Sequence, residues 1–410
     1  MKTLLSLLAL NLVLCVLPVA AAAPPDLSSI RGFGYNSASV EHYGFWTQMN
    51  PAEVDRDFGY ANLLKLNAAR ISVRYADWEK DPVLFARNFG SFMDIAAKHH
   101  IGVMLTLAPP AEYLDGMSGQ AQKDADAKLK VWALALLKLA RGKTAIQFWD
   151  VANEPDWTGY LEKPKPEADR QHRLQVARDM ANLVHAENKN YLTTVGCFRE
   201  SCMELMAPYT DVLSYHDYSP TVAEIDAIIV KAKAFAATVH KPLVQTEMGC
   251  IGRGNPYDVV LREYQKAGIG FYAFELMVTK FWGDIHGVFY PDGTVRDPAI
   301  PMALMGVFRK TDADFRLESP DRESWVTRAV TRGKEWLANP NPDWNKGLET
   351  AELAANMLQG NQLIAMREPP VRTVAILRAG APDMAALKNI MRQYVAALEP
   401  YVGMGKQHGN

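Results

Sequence analysis

The chain is poor in cysteine, with only Cys15, Cys197, Cys202 and Cys250, and it contains no C-x-x-C or H-E-x-x-H spacing. Four scattered cysteines exclude a disulfide scaffold, and the missing spacings leave no signature of a structural or catalytic metal. A charge of one sign is also lacking: 44 basic side chains stand against 46 acidic ones, a net charge of −2. Nucleic acid and anionic membranes call for a basic excess, so neither is expected as a partner, and a neutral substrate suits the balance better. Beyond the first residues no apolar run approaches the ~20 residues that span a bilayer. No glycine fingerprint opens a first helix, which argues against a doubly wound dinucleotide-binding sheet. Internal repeats and low-complexity tracts are absent too.

What is present begins with MKTLLSLLALNLVLCVLPVAAAAPPDL. One Lys, an unbroken apolar run and then small residues form the pattern of a secretory signal, expected over residues 1–22 with cleavage near Ala21 or Ala22. A membrane anchor and a lipid attached at Cys15 are the other readings, and Leu14 is too large for a lipid-attachment site. The mature chain is then expected to be secreted or periplasmic and free of the membrane. It would keep Cys197, Cys202 and Cys250, an odd number, so at least one thiol stays free or pairs outside the chain. Pairing of Cys197 with Cys202 stays open.

After Pro25 short apolar runs alternate with longer amphipathic ones, the rhythm of an α/β protein. Strands are expected over residues 31–36, 69–75, 102–108, 146–153, 192–196, 212–218, 243–248 and 270–276. Helical periods fall between them, at 51–66, 83–100, 121–141, 168–187, 221–240 and 256–266, with a last one at 299–309. Eight such repeats over roughly 280 residues match a (β/α)8 TIM barrel, here bounded at residues 23–310. Residues 311–410 read as a helical C-terminal extension, with helical stretches near 323–337, 347–358 and 384–398.

Barrel enzymes keep their reactive groups where strands end at the C-terminal face. Two such ends carry glutamate: the fourth run closes on QFWDVANEPDW, with Asn153 and Glu154, and the seventh on LVQTEMGC, with Glu247. Strands four and seven face one another across a barrel. Two acids on opposite walls are what cleavage of a glycosidic bond requires, one to protonate the departing oxygen and one to meet positive charge developing on the sugar ring. Arg70 is a candidate for the cation that keeps one of them ionised. Glu275 offers a third carboxylate and reads as structural. His99 and His100 close a helix as AAKHH and read as caps.

ANEP followed 93 residues later by TEMG resembles glycoside hydrolase clan A, and within it family 5 is the nearest pattern. LNAARI is similar to the strand-two arginine motif of that family and SYHDY to its strand-six His-x-Tyr motif; the resemblance spans about residues 31–300. It implies Glu154 as general acid/base and Glu247 as nucleophile. It further implies Asn153 as partner of the sugar 2-hydroxyl, Arg70 as an orienter of the nucleophile, Tyr218 as a hydrogen-bond donor to Glu247, and His216 as partner of the acid/base or of a sugar hydroxyl. Two departures stand out. TLAPP lacks the histidine common at the end of strand three, and FYAFELM has Phe274 where the family places a sugar-stacking tryptophan, so Trp282 is the expected substitute.

The expected activity is retaining hydrolysis of a β-linked oligo- or polysaccharide without a cofactor. The alternative is a barrel that keeps its sugar groove and has lost turnover.

Overall fold

The computed structural model describes residues 26–40, 43–157, 166–308, 325–360, 363 and 366–402. The leader expected over residues 1–22, the boundary expected at residues 310 and 311 and the start of the helix expected at 323 lie outside the described residues.

Eight parallel strands form one sheet: β1 (Arg31–Gly34), β2 (Ala68–Arg74), β3 (Gly102–Ala108), β4 (Ile146–Asn153), β5 (Leu192–Gly196), β6 (Leu213–Asp217), β7 (Leu243–Met248) and β8 (Gly270–Ala273). Their order is β5-β4-β3-β2-β1-β8-β7-β6. A parallel bridge between Cys197 and Tyr215 joins the two outer strands, and the His216 amide donates to the Cys197 carbonyl at 2.8 Å. The sheet is thus a nearly closed barrel, the (β/α)8 TIM barrel expected from the alternation of periods. β8 is shorter than expected and ends at Ala273, although the Leu276 amide beyond it still donates to the Gly34 carbonyl of β1 at 3.0 Å.

Several helices start where the chain supplies a side-chain cap. The Asn50 and Asp81 side chains accept from the amides of Ala52 and Leu84, and each precedes a proline at the first helical position. His99 is the C-cap of Pro82–Lys98 and contacts Asp55 and Asn62. The helix expected at 299–309 ends at Leu304, and Gly306 then takes a left-handed φ of 80° that a helix does not accept. Four helices carried too little periodic signal to be expected: Phe45–Gln48, Tyr75–Lys80, Glu200–Met206 and Pro370–Ala379.

Two apolar layers hold the barrel. The outer one packs strands against helices through residues such as Ile71, Leu105, Trp149 and Phe271. The inner one, Ala68, Met104, Phe148, Val212, Val244 and Tyr272, fills the barrel floor together with Leu27 and Ile30. The helices Trp325–Ala338, Trp344–Gly360, Pro370–Ala379 and Met384–Leu398 form a C-terminal region with its own core, including Val330, Leu348, Leu358, Met391 and Tyr394.

Candidate active site

Successive residues of a strand face opposite sides, so the floor residues mark which positions point at the barrel axis. Two residues beyond Ala68, Met104, Phe148 and Tyr272 stand Arg70, Thr106, Asp150 and Phe274. Strict alternation would turn Asn153 and Glu247 outward. Both strands break it: the register shifts between Asp150 and Asn153 in β4 and between Gln245 and Met248 in β7. A bulge adds one residue and re-aims the side chains that follow, and Asn153 and Glu247 come round to meet Arg70. Glu154, just past β4, has a left-handed φ of 45°, and its amide donates to the Gly196 carbonyl at 2.7 Å.

Arg70 is the hub. Its Nε and Nη2 donate to Asp150 Oδ2 at 3.0 and 2.8 Å, Nη1 donates to Glu247 Oε2 at 2.9 Å, and Nη2 reaches Asn153 Oδ1 at 2.5 Å. Asp150, fully buried, also accepts from Thr106 Oγ1 and from the Gly196 amide. Tyr218 OH donates to Glu247 Oε1 at 2.5 Å. His216 Nδ1 lies 2.7 Å from Glu154 Oε1 and 3.6 Å from Glu247 Oε2. Among them, ligating atoms of Glu154, His216 and Glu247 lie within 4.8 Å of one another. Glu154 and Glu247 keep 19% and 14% of their side-chain surface open, so the pair borders a cleft.

Electrostatics sets the state of Glu247. Burial works against its charge, but attraction to His216 and Arg70, the Tyr218 hydrogen bond and the charge of Arg253 outweigh it and hold its pKa down at about 2. It is therefore an anion at any ordinary pH. Burial, with the negative charge of Glu247, drives the Tyr218 phenol well above its usual range and keeps it a hydrogen-bond donor. A cation seated among Glu154, His216 and Glu247 would compete with Arg70 for Glu247 Oε2, so this donor set does not suit a resident metal.

An aromatic wall stands beside the pair. Arg253, in the turn Ile251–Arg253, lies 4.3 Å over the ring of Tyr218. His286 sits edge-on to Phe274, Trp282 and Tyr218, with centroids 4.8, 5.9 and 6.0 Å away. Its Nδ1 is 2.7 Å from the Gly249 carbonyl and 3.0 Å from that of Phe274, so the proton on Nδ1 ties the end of β7 to the end of β8. Burial lowers the His286 pKa to about 4 and keeps the ring neutral.

The structure thus brings Arg70, Asn153, Glu154, His216, Tyr218 and Glu247 into one hydrogen-bonded cluster. Trp282 joins it at one remove, through His286 and Tyr218. Trp149 is buried in the outer core and faces away from the cleft. Cys197 and Cys202 are both buried and unbridged.

Sequence reasoning missed Asp150, Asp156, Gly196, Arg253 and His286. Asp156 accepts from the amides of Phe198 and Arg199 and so links the loops after β4 and β5. Asp150 had a usable signal, being an acid four residues before Glu154 in an apolar strand, on the face that carries Arg70. His286 lies twelve residues past Phe274 in a long loop, where no period marks it.

No protein-family model and no curated protein matches the sequence. Solved structures do match the fold. A broad-specificity endoglucanase of family 5, subfamily 4, from Clostridium acetobutylicum aligns over 67% of this chain and 96% of its own at 13% identity, with a TM-score of 0.53. A family 5 mannosidase from Rhizomucor miehei aligns over 69% and 92% at 11% identity, TM-score 0.50. An exo-β-1,4-mannosidase from Opitutaceae bacterium strain TAV5 aligns over 81% and 67% at 14% identity, TM-score 0.50. At these identities what is shared is the fold, and it is the fold of family 5 glycoside hydrolases, the group that the ANEP and TEMG motifs resemble.

Proposed function

We propose that this protein is a glycoside hydrolase that cleaves a β-linked glycan with net retention, with Glu247 as nucleophile and Glu154 as acid/base. One observation carries the reading: at the C-terminal face of the barrel, one oxygen of Glu154 and one of Glu247 lie within 4.8 Å of each other, and Glu247 is bound by a buried guanidinium. Retaining enzymes hold their acids ~5 Å apart, whereas inverting ones need ~6.5–9.5 Å to fit a water between them.

In the first step Glu247 attacks the anomeric carbon while Glu154 gives its proton to the leaving oxygen, so a glycosyl ester replaces the glycosidic bond. In the second, Glu154 takes a proton from water, whose oxygen displaces Glu247. The 2.7 Å contact to His216 suits both stages. Glu154 Oε1 accepts from Nδ1–H in each, which leaves Oε2 to give the proton to the leaving oxygen and to take one from water. Asn153, fixed by Arg70, would bond a sugar hydroxyl, and Phe274 and Trp282 would give apolar surface to a pyranose face. With the leader read over residues 1–22, the enzyme would act outside the cytoplasm.

A 2-deoxy-2-fluoro glycoside with a good leaving group should label the peptide that contains Glu247, and proton NMR should show the first released anomer with retained configuration. Glu154→Gln should lower kcat about 10²–10⁴-fold on substrates with poor leaving groups. An initially inverted anomer would refute the mechanism. The absence of a strand-three histidine and the Phe274 replacement favour a second reading, a binding barrel without turnover. Sugar binding with no adduct across a broad panel would select it.

A further inference from the structure

The wall that carries Arg253 and Trp282 does not stand alone. Two barrel segments form it, the turn Ile251–Arg253 after β7 and the loop around residues 281–286 after β8, and they are joined by the Ile251 amide donating to the Ile285 carbonyl at 3.0 Å. Behind them lies the C-terminal helical region. Gln359, near the end of the helix Trp344–Gly360, is buried, and its Nε2 donates to the carbonyl of Phe281 at 2.9 Å. Ile285 is pressed between two glycines that leave room for it. A Cβ on Gly252 would lie 2.6 Å from Ile285 Cγ2, and one on Gly360 would lie 2.9 Å from Cδ1. On the other side of the turn, Gly254 faces the Trp325 indole, with a Cβ-to-Nε1 distance of 3.1 Å. Phe281 packs edge-on against Trp282, with centroids 4.7 Å apart.

A continuous stack therefore runs from the C-terminal helices through Phe281 and Ile285 to Trp282 and Arg253, and from these through His286 and Tyr218 to Glu247. The inner side of the loop is held as well. The Trp282 amide donates to Thr279 Oγ1 at 3.1 Å, and that hydroxyl donates to Glu275 Oε1 at 2.8 Å. Gln359 supplies the matching hold from outside the barrel. A loop with a tether on each side keeps an aromatic platform in one place, and binding then pays less to order it.

We propose that the C-terminal helical region is the outer layer of the substrate cleft, and that Gln359 is a positioning residue that sets where Trp282 stands. The proposal rests on the glycosidase reading for its kinetic consequence and on the packing alone for its structural one.

Gln359→Met keeps the side chain's length and apolar stem and removes the donor. In the full-length variant, KM for an aryl β-glycoside should rise about 5-fold, the size of one lost hydrogen bond, with kcat within about 2-fold of the parent. Hydrogen exchange should speed up at the amides of Trp282, Ile285 and His286 and stay unchanged in β4. Gln359→His, which retains an N–H donor, should restore part of both effects. Unchanged exchange around residues 281–286 would overturn the proposal, as would faster exchange with an unchanged KM. A parent protein inactive on every glycoside would sink the glycosidase reading, while the exchange measurement would still decide whether Gln359 holds this wall.

Discussion

Gly196 ends β5 without a side chain, and three groups of the site fill the space that one would occupy. A Cβ there would lie 2.8 Å from His216 Nε2, 3.0 Å from Arg70 Nη2 and 3.2 Å from Asp150 Oδ2. All three residues are buried, so none can swing into solvent. Gly196→Ala must displace the imidazole or the guanidinium, and through them the two glutamates. We expect kcat/KM to fall about 10²-fold, with a stability loss of only ~1–3 kcal/mol, read from steady-state kinetics beside thermal unfolding. An alanine variant with parental kcat/KM would show that the cluster tolerates the shift. Glu154 and Glu247 were legible in the sequence because each breaks an apolar run at a strand end. Asp150 offered a weaker signal, an acid within an apolar strand, and Gly196 none, because a strand glycine acquires meaning only from what faces it across the barrel.

At the scale of elements, the two bulges decide the site. Had β4 and β7 kept strict alternation, Asn153 and Glu247 would face helices. The bulges cost ladder regularity and turn both side chains to the axis, a feature that counting apolar positions does not reveal. His286 acts at this scale as a clamp between the ends of β7 and β8. Its removal leaves the buried Gly249 carbonyl without this donor, at a cost of ~1–3 kcal/mol, while that of Phe274 keeps the Tyr257 hydroxyl. His286→Ala should therefore lower the unfolding temperature and raise KM more than it lowers kcat, as the Tyr218, Phe274 and Trp282 wall loosens. His286→Asn, which retains an N–H donor, should recover part of the stability. Equal losses in kcat and 1/KM would place His286 in the chemical step instead.

For the whole molecule, stability should depend on pH through acids that the fold buries. Glu275 is fully buried, and that burial, reinforced by the charge of Glu247 and only partly opposed by the bonds from Asn36 and Thr279, raises its pKa from 4.5 to about 8. The unfolded chain releases this proton first as pH rises. The contribution of Glu275 is thus fully present below about 4.5 and is lost as pH rises through about 8. Glu275→Gln removes the titration and keeps the shape. Its unfolding temperature should match the parent's at pH 4.5 and exceed it at pH 8, by the equivalent of a few kcal/mol (about 1.4 per pKa unit). Calorimetry at both values checks this, and a variant no more stable at pH 8 would mean that Glu275 ionises freely in the fold.

The amino-acid sequence by itself determined the eight strands, most helices between them and the two glutamates at opposed strand ends. These depend on local periods of two and 3.6 residues, and on where those periods stop. Only the tertiary structure decided which way Asn153 and Glu247 face, that Asp150 and Arg70 share one ion pair beneath them, and that the C-terminal helices back the wall carrying Trp282. Such contacts join segments tens to hundreds of residues apart, and they follow from how the elements pack, which no local pattern encodes.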